Sequence, residues 1–222
     1  MLHDLFCLPN MGPEDENIYV PGLTQEHKEE IHTMARTAGR RLYWPSRHND
    51  YFWCRRAILK FAPKAKEILD IGSGASYWPL YIRDCTEAHV TAVDRCSEDV
   101  YGRMYKELID QRVEDDRVTY ETAGIEGIQE NRKFDVVVSI SAIEHFEGNA
   151  YGVTTRIIQN TLKRGGMVVL TTDVGDCPGA KTISDITRLL MTNTEDGGKI
   201  RNVVDAVTPG ILPNMLFVCI SL

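Results

Sequence analysis

The stretch EILDIGSGASYWPL, Glu67 to Leu80, sets a carboxylate, Asp70, directly before a turn built on Gly72 and Gly74. A second acid, Asp94, closes the apolar run HVTAVD, and His145 ends the later motif SAIEH. Glycines at this spacing let the backbone turn sharply and let a ligand approach where a Cβ would intrude. The helix expected next offers amides and the positive end of its dipole to an anionic group. A carboxylate at the tip of a second strand accepts hydrogen bonds from both hydroxyls of a ribose and repels a phosphorylated one. The residues therefore read as a nucleoside site. Tyr77 occupies the third position of a GxGxxG fingerprint, which disfavours a dinucleotide, and no phosphate loop ending in Gly-Lys-Ser or Gly-Lys-Thr is present.

An acid before the first glycine sits badly beside a pyrophosphate, but it suits the ammonium of a nucleoside that carries an amino acid. S-adenosylmethionine has that ammonium, a free ribose and no phosphate. For these residues to meet, the elements carrying them must alternate, and they do. The strand EILDI, the turn, and a helix through Tyr81 with Pro79 in its first turn are followed by the strand HVTAVD. A helix opened by Ser97, with Val100, Met104 and Leu108 on one face, leads to the strand RVTYETA. FDVVVSIS is nearly continuously apolar, as a strand buried on both faces should be. A helix over about Asn149–Lys163, ended by Gly165 and Gly166, precedes the strand GMVVLTTD. A helix near Ser184 to Thr192 and strands at NVVDAV and MLFVCISL complete the chain. Alternation of this kind predicts an α/β fold, a three-layer doubly wound sheet, mostly parallel.

Ahead of this core, three prolines in residues 1–23 predict an irregular arm, and Thr24 caps a helix whose apolar positions recur up to Gly39. A further helix is expected from about Asp50 to Phe61, stopped by Pro63. The division drawn is an arm and helix over residues 1–48 and a core over residues 49–222. The 222 residues, 43% hydrophobic and 26% charged, are ordinary for a globular protein, and no apolar run approaches the roughly 20 residues of a membrane span. Without a basic leader and a long hydrophobic stretch, export is not expected. Six scattered cysteines with no CxxC pair argue against a zinc site or a disulfide framework and fit a reducing cytoplasm. A net charge of -7 disfavours binding to long nucleic acids. Nine Lys or Arg residues from Arg36 to Lys66, against Asp50 alone, make that segment +8 and mark it for an anionic partner.

Four segments in order, ILDIGSGAS, VTAVDR, FDVVVSISAIEHF and LKRGGMVVLTTD, give the chain from about Leu59 onward a strong resemblance to the class I S-adenosylmethionine-dependent methyltransferases. The resemblance implies a Rossmann-like methyltransferase fold whose final strands form an antiparallel hairpin at one edge. It implies that Asp70, Gly72 and Gly74 surround the methionine portion of S-adenosylmethionine, that Asp94 takes the ribose, that Ile125 flanks adenine, and that Ser73 and Arg95 also bind the cofactor. Ser141 is expected at the cofactor as well. Many members have an acid near Ala123 or Gly124 for the adenine amino group; this chain has none there, and Glu126 is the nearest substitute.

Methyl transfer requires in-line alignment of nucleophile, methyl and sulfur, to which orientation contributes roughly 7–11 kcal/mol in favourable systems. For a hydroxyl acceptor a general base helps, and His145, following the fourth strand, is the candidate; its other reading is a packing residue that shapes the pocket. Some relatives hold a divalent metal with E-x-x-E-H at this place. Here Ser141 replaces the first glutamate, and Glu144 with His145 are too few ligands, so no metal is expected. The segment RLYWPSRHNDYFWCRR either roofs the acceptor, with Arg41, Arg47, Arg55 and Arg56 binding a phosphate or carboxylate and the aromatics covering the methyl group, or packs its aromatics on the sheet with the arginines in water. The expected function is methyl transfer to a small molecule, with an anionic acceptor favoured by the basic segment. A non-catalytic cofactor-binding regulator, an RNA or protein methyltransferase and a nicotinamide-dependent reductase are the alternatives, the last disfavoured by Tyr77 and Asp70.

Overall fold

The computed structural model describes residues 48–74, 76, 78–95, 116–146, 150–173, 199–201 and 215–221, with positions 25, 26, 29, 30 and 33 ahead of them. Those five positions are helical, within the helix predicted after Thr24, and Gln25 Nε2 donates to Glu29 Oε1 one turn on (3.3 Å). The rest of the arm, the helix predicted from Ser97, that near Ser184 to Thr192 and the strand NVVDAV lie outside the described residues.

Helix α1 (His48–Phe61) leads to β1 (Glu67–Ile71), and α2 (Trp78–Cys85) to β2 (His89–Asp94). Strand β3 (Val118–Thr122) is followed by a 3-10 turn over Ile125–Gly127, and β4 (Phe134–Ile140) by another over Ile143–His145. Helix α3 (Ala150–Thr161), β5 (Leu162–Asp173), β6 (Lys199–Arg201) and β7 (Met215–Ser221) complete the series. One sheet in the order β3-β2-β1-β4-β5-β7-β6 results, parallel from β3 through β5 and antiparallel where β7 joins β5 and β6. Successive strand residues point to opposite faces. Accordingly Ile68, Val136 and Val169 enter a core on one side with Phe52, Ile58 and Trp78, while Leu69, Val137 and Val168 enter a second core with Ile157 and Ile158. Apolar residues at both phases of the period are what let helices cover both faces, the doubly wound arrangement.

One boundary differs from expectation. The helix predicted to run to Lys163 stops at Thr161, whose hydroxyl bonds back to the Ile157 carbonyl (2.7 Å), and β5 begins at Leu162 rather than at Gly166. Phe134 pairs with Leu162 and Val136 with Met167, so the residues between bulge out of the ladder. Gly165, at φ +76°, makes that bulge possible, and Lys163 Nζ returns to Asp135 Oδ1 at 2.8 Å. The glycines thus serve a bulge within a strand rather than a helix stop.

Candidate active site

Strand β1 has β2 on one side and β4 on the other, so the chain leaves their tips in opposite directions and opens a crevice at the carboxyl ends. A cavity of about 800 Å³ lies there, and all nine residues singled out from the sequence line it: Asp70, Gly72, Ser73, Gly74, Asp94, Arg95, Ile125, Ser141 and His145. The span from β3 to β4 crosses three strand spacings, roughly 14 Å.

The glycine turn is locked to β2. Gly72 and Ser73 both donate their amides to the Val93 carbonyl (2.8 and 3.3 Å), and Gly74 donates its amide to Asp94 Oδ2 (2.7 Å). These three amides of the turn are therefore already bonded within the protein. One Asp94 oxygen is engaged by the turn, so the carboxylate that is expected to meet a ribose also fixes the loop beneath it. Gly72 (φ +74°) and Gly74 (φ +56°) have left-handed backbones, and a Cβ on Gly72 would overlap the Ala142 side chain. Both requirements exclude other residues at Gly72.

Asp70 is 2% exposed, and its Oδ2 is buried without a hydrogen-bond partner. Burial, with the Asp94 carboxylate adding to it, pushes the Asp70 pKa up to about 8. Two acids with an unanswered acceptor oxygen fit a ligand that brings a cation. At the other end Arg95 Nη2 bonds Glu126 Oε1 (2.7 Å), a pair exposed at the mouth beside Ile125. Glu126, the nearest substitute for an adenine-binding acid, is thus paired with Arg95, which helps to hold its carboxyl below the usual range after its own backbone amide.

Ser141, at the tip of β4, has φ +45° and is not a glycine. Three bonds hold it there: its amide donates to the Thr171 carbonyl and hydroxyl (2.9 and 3.1 Å), and its own hydroxyl donates to Asp50 Oδ2 (3.0 Å). Strain maintained this way is characteristic of functional positions. His145 follows on the 3-10 turn, exposed at the cavity, its amide bonded to the Ala142 carbonyl (3.0 Å). Among the described residues no group of three metal-ligating side chains comes together.

Three aromatic wall residues fall outside the nine. Tyr51 of α1 stacks on Trp78 of α2 (5.5 Å, 11°), and Phe146 follows His145. Tyr51 lay within the aromatic segment expected over the acceptor; Trp78 carried no signal beyond an aromatic at the start of a helix. Arg55 and Arg56 do not line the cavity: both bond the Glu30 carboxylate, and Arg55 Nε also donates to Cys85 Sγ (3.4 Å). Among the described residues no helix is long and apolar enough to cross a membrane.

Residues 46–204 match the family model described as "Methyltransferase domain". No curated protein matches the chain. Similar solved structures include an S-adenosylmethionine-dependent methyltransferase from Mesorhizobium loti (17% identity, TM-score 0.57, covering 77% of this chain and 97% of that one). Another is the Burkholderia thailandensis 1,6-didemethyltoxoflavin-N1-methyltransferase with its substrate and S-adenosylhomocysteine (15% identity, TM-score 0.57, 92% of each chain). A third is the N-methyltransferase NodS from Bradyrhizobium japonicum (14% identity, TM-score 0.56, 78% and 94%). The chain belongs to the methyltransferase-domain family, and it is an S-adenosylmethionine-dependent methyltransferase of the Rossmann-like class.

Proposed function

We propose that the protein transfers a methyl group in line to a small-molecule acceptor seated between α1 and the turn that carries His145. The supporting observation is the cavity itself. At about 800 Å³ it falls within the roughly 300–1,000 Å³ typical of small-ligand pockets, and it runs from the nucleoside acids at β2 to the strained Ser141 at β4. Bound S-adenosylmethionine supplies a methyl group already activated by a sulfonium.

The chain's own residues do the rest. Asp94 and Ile125 hold the nucleoside, Gly72 and Gly74 allow its close approach with Ser73 between them, and Arg95 closes the mouth with Glu126. Asp70 takes the ammonium. Tyr51 and Phe146 exclude water, and Ser141 fixes the edge of the acceptor space. His145 accepts a proton at an imidazole nitrogen when the nucleophile is a hydroxyl. Orientation is the dominant contribution, since the leaving group needs no further activation. The anionic character of the acceptor rests on Arg41 and Arg47, outside the described residues, because Arg55 and Arg56 are held by Glu30. The segment before α1 is assigned the role of acceptor cover. The N1-methylation named for the similar Burkholderia structure supports including nitrogen acceptors beside hydroxyls in the first acceptor set.

Calorimetry with S-adenosylmethionine and S-adenosylhomocysteine, with Asp94→Asn alongside, tests the cofactor assignment: micromolar binding weakened at least tenfold supports it. Release of S-adenosylhomocysteine from a panel of small hydroxyl and amine acceptors then tests turnover. His145→Ala is expected to lower kcat on a hydroxyl acceptor by about 10²-fold or more. Near-normal turnover would remove the base role, and tight cofactor binding without turnover on any acceptor would favour a regulatory protein.

A further inference from the structure

Asp50 has no place in the cavity wall, yet it is only 1% exposed, and a carboxylate is kept out of water only where donors face it. One of those donors is the Ser141 hydroxyl, far along the chain, at 3.0 Å. Ser141 in turn has φ +45°, a backbone that a residue with a Cβ keeps only when its surroundings impose it. Thr171 holds its amide, and the bond to Asp50 holds its side chain. Ala142 follows directly and fills the space beside Gly72, where an added Cβ would lie 2.4 Å from its own. A line of contact therefore runs from α1 through Ser141 and Ala142 to the glycine turn.

We propose that Asp50 is a positioning residue for the cofactor: by holding Ser141 in its left-handed conformation it keeps Ala142 seated against Gly72, and so keeps the turn in its ligand-ready shape. This rests on the cofactor assignment above. The turn's own amides are tied to β2 alone, Gly72 and Ser73 to the Val93 carbonyl and Gly74 to Asp94. On the β4 side the turn meets Ala142, and the conformation of residue 141 decides where Ala142 sits. Asp50 also stands in the first turn of α1, where a carboxylate meets the positive end of the helix dipole. That role belongs to stability. A turn held in its bound shape before the ligand arrives costs less ordering on binding, so the positioning role is read in Kd.

The test is calorimetry with S-adenosylhomocysteine on variants whose folding is checked by thermal melts. Asp50→Ala is expected to weaken binding about tenfold or more, the size of a hydrogen bond to a charged group. Asp50→Asn, whose amide oxygen still accepts the Ser141 hydroxyl, should stay within about threefold of wild type. The central comparison repeats Asp50→Ala in a Ser141→Gly background. Glycine takes a left-handed backbone unaided, so there the loss of Asp50 should change Kd less than about twofold, whatever Ser141→Gly does by itself. Equal weakening in both backgrounds makes Asp50 a support of α1 and overturns the inference, as does an unchanged Kd for Asp50→Ala or an Asn variant no better than Ala. Should Asp50→Ala not fold, position 141 decides: Ser141→Ala keeps the strained backbone without the hydroxyl and should bind about fivefold or more weaker than Ser141→Gly, and equal affinities overturn the inference. Wild-type protein that binds S-adenosylhomocysteine while these differences fail overturns the inference alone; wild-type protein that does not bind it overturns the cofactor reading as well.

Discussion

At position 72 a methyl group would overlap the Ala142 side chain on a backbone of φ +74°, whereas at Gly165, φ +76°, an added Cβ meets nothing within 4 Å. The two glycines separate backbone strain from close approach. Gly165→Ala should cost about 1–2 kcal/mol, the left-handed penalty alone, and leave ligand binding intact. Gly72→Ala should cost about 2–4 kcal/mol and abolish S-adenosylhomocysteine binding, because Ala142 or the turn must move. Denaturant melts with calorimetry check both. Asp70 makes a second prediction at this scale. Its folded pKa of about 8 lies above the ordinary 3.8, so between about pH 4 and pH 8 the folded protein keeps a proton that the unfolded chain has lost. Ligand-free stability therefore falls as pH rises through that window. Asp70→Asn removes the dependence and should gain on wild type by on the order of a few kcal/mol by pH 8.5, with no gain below pH 4. A bound ammonium favours the ionised carboxyl, so S-adenosylhomocysteine binding below pH 8 should release a proton, seen as a calorimetric enthalpy that changes with the buffer.

Elements reach the site by ties that join distant parts of the chain. Asp50 on α1 accepts the Ser141 hydroxyl at the end of β4, so the helix that carries Tyr51 is fixed to the strand that leads to Ser141. At the opposite end of the sheet, Asp135 of β4 accepts the amides of Lys66 and Glu67 (2.8 and 2.9 Å) and the Lys163 ammonium (2.8 Å). Burial opposes its ionisation, but these donors prevail and hold its carboxyl below the usual value. A depressed carboxyl stabilises the fold above its unfolded pKa and ceases to as pH falls through the folded one. Asp135→Ala should cost about 1–2 kcal/mol at pH 7, reduced for its partial exposure, and the difference from wild type should shrink toward zero under acid; urea melts at pH 7 and pH 3 measure it. The loss should fall on the β1, β4 and β5 registers and leave the glycine turn at the other end of β1 in place.

For the whole molecule, the crevice is open at the sheet's carboxyl edge, and a ligand that fills it ties β1, β2, β3 and β4 together. S-adenosylhomocysteine at a hundred times its Kd should add about 2.7 kcal/mol of stability and raise Tm by roughly 5–10 °C; thermal melts with and without ligand check this. The basic segment reads differently at this scale than it did in the sequence, since Arg55 and Arg56 meet Glu30 and Lys66 meets Glu87. Its charge is answered at those positions from within the chain. What the sequence determined by itself is what short-range pattern and stereochemistry carry: six strands, β1 to β5 and β7, by their apolar runs, Pro79 in a first turn, the glycine turn, and the acids at strand tips. The positions of Asp70, Asp94, Ser141 and His145 followed, because α/β order brings the carboxyl ends of strands together whatever the details of each loop. What only the tertiary structure decided are contacts between residues far apart in the chain. That the turn's amides are already bonded, that Asp50 holds Ser141, that Ala142 sits against Gly72, and that Gly165 and Gly166 bulge a strand instead of ending a helix all depend on partners that no local window contains.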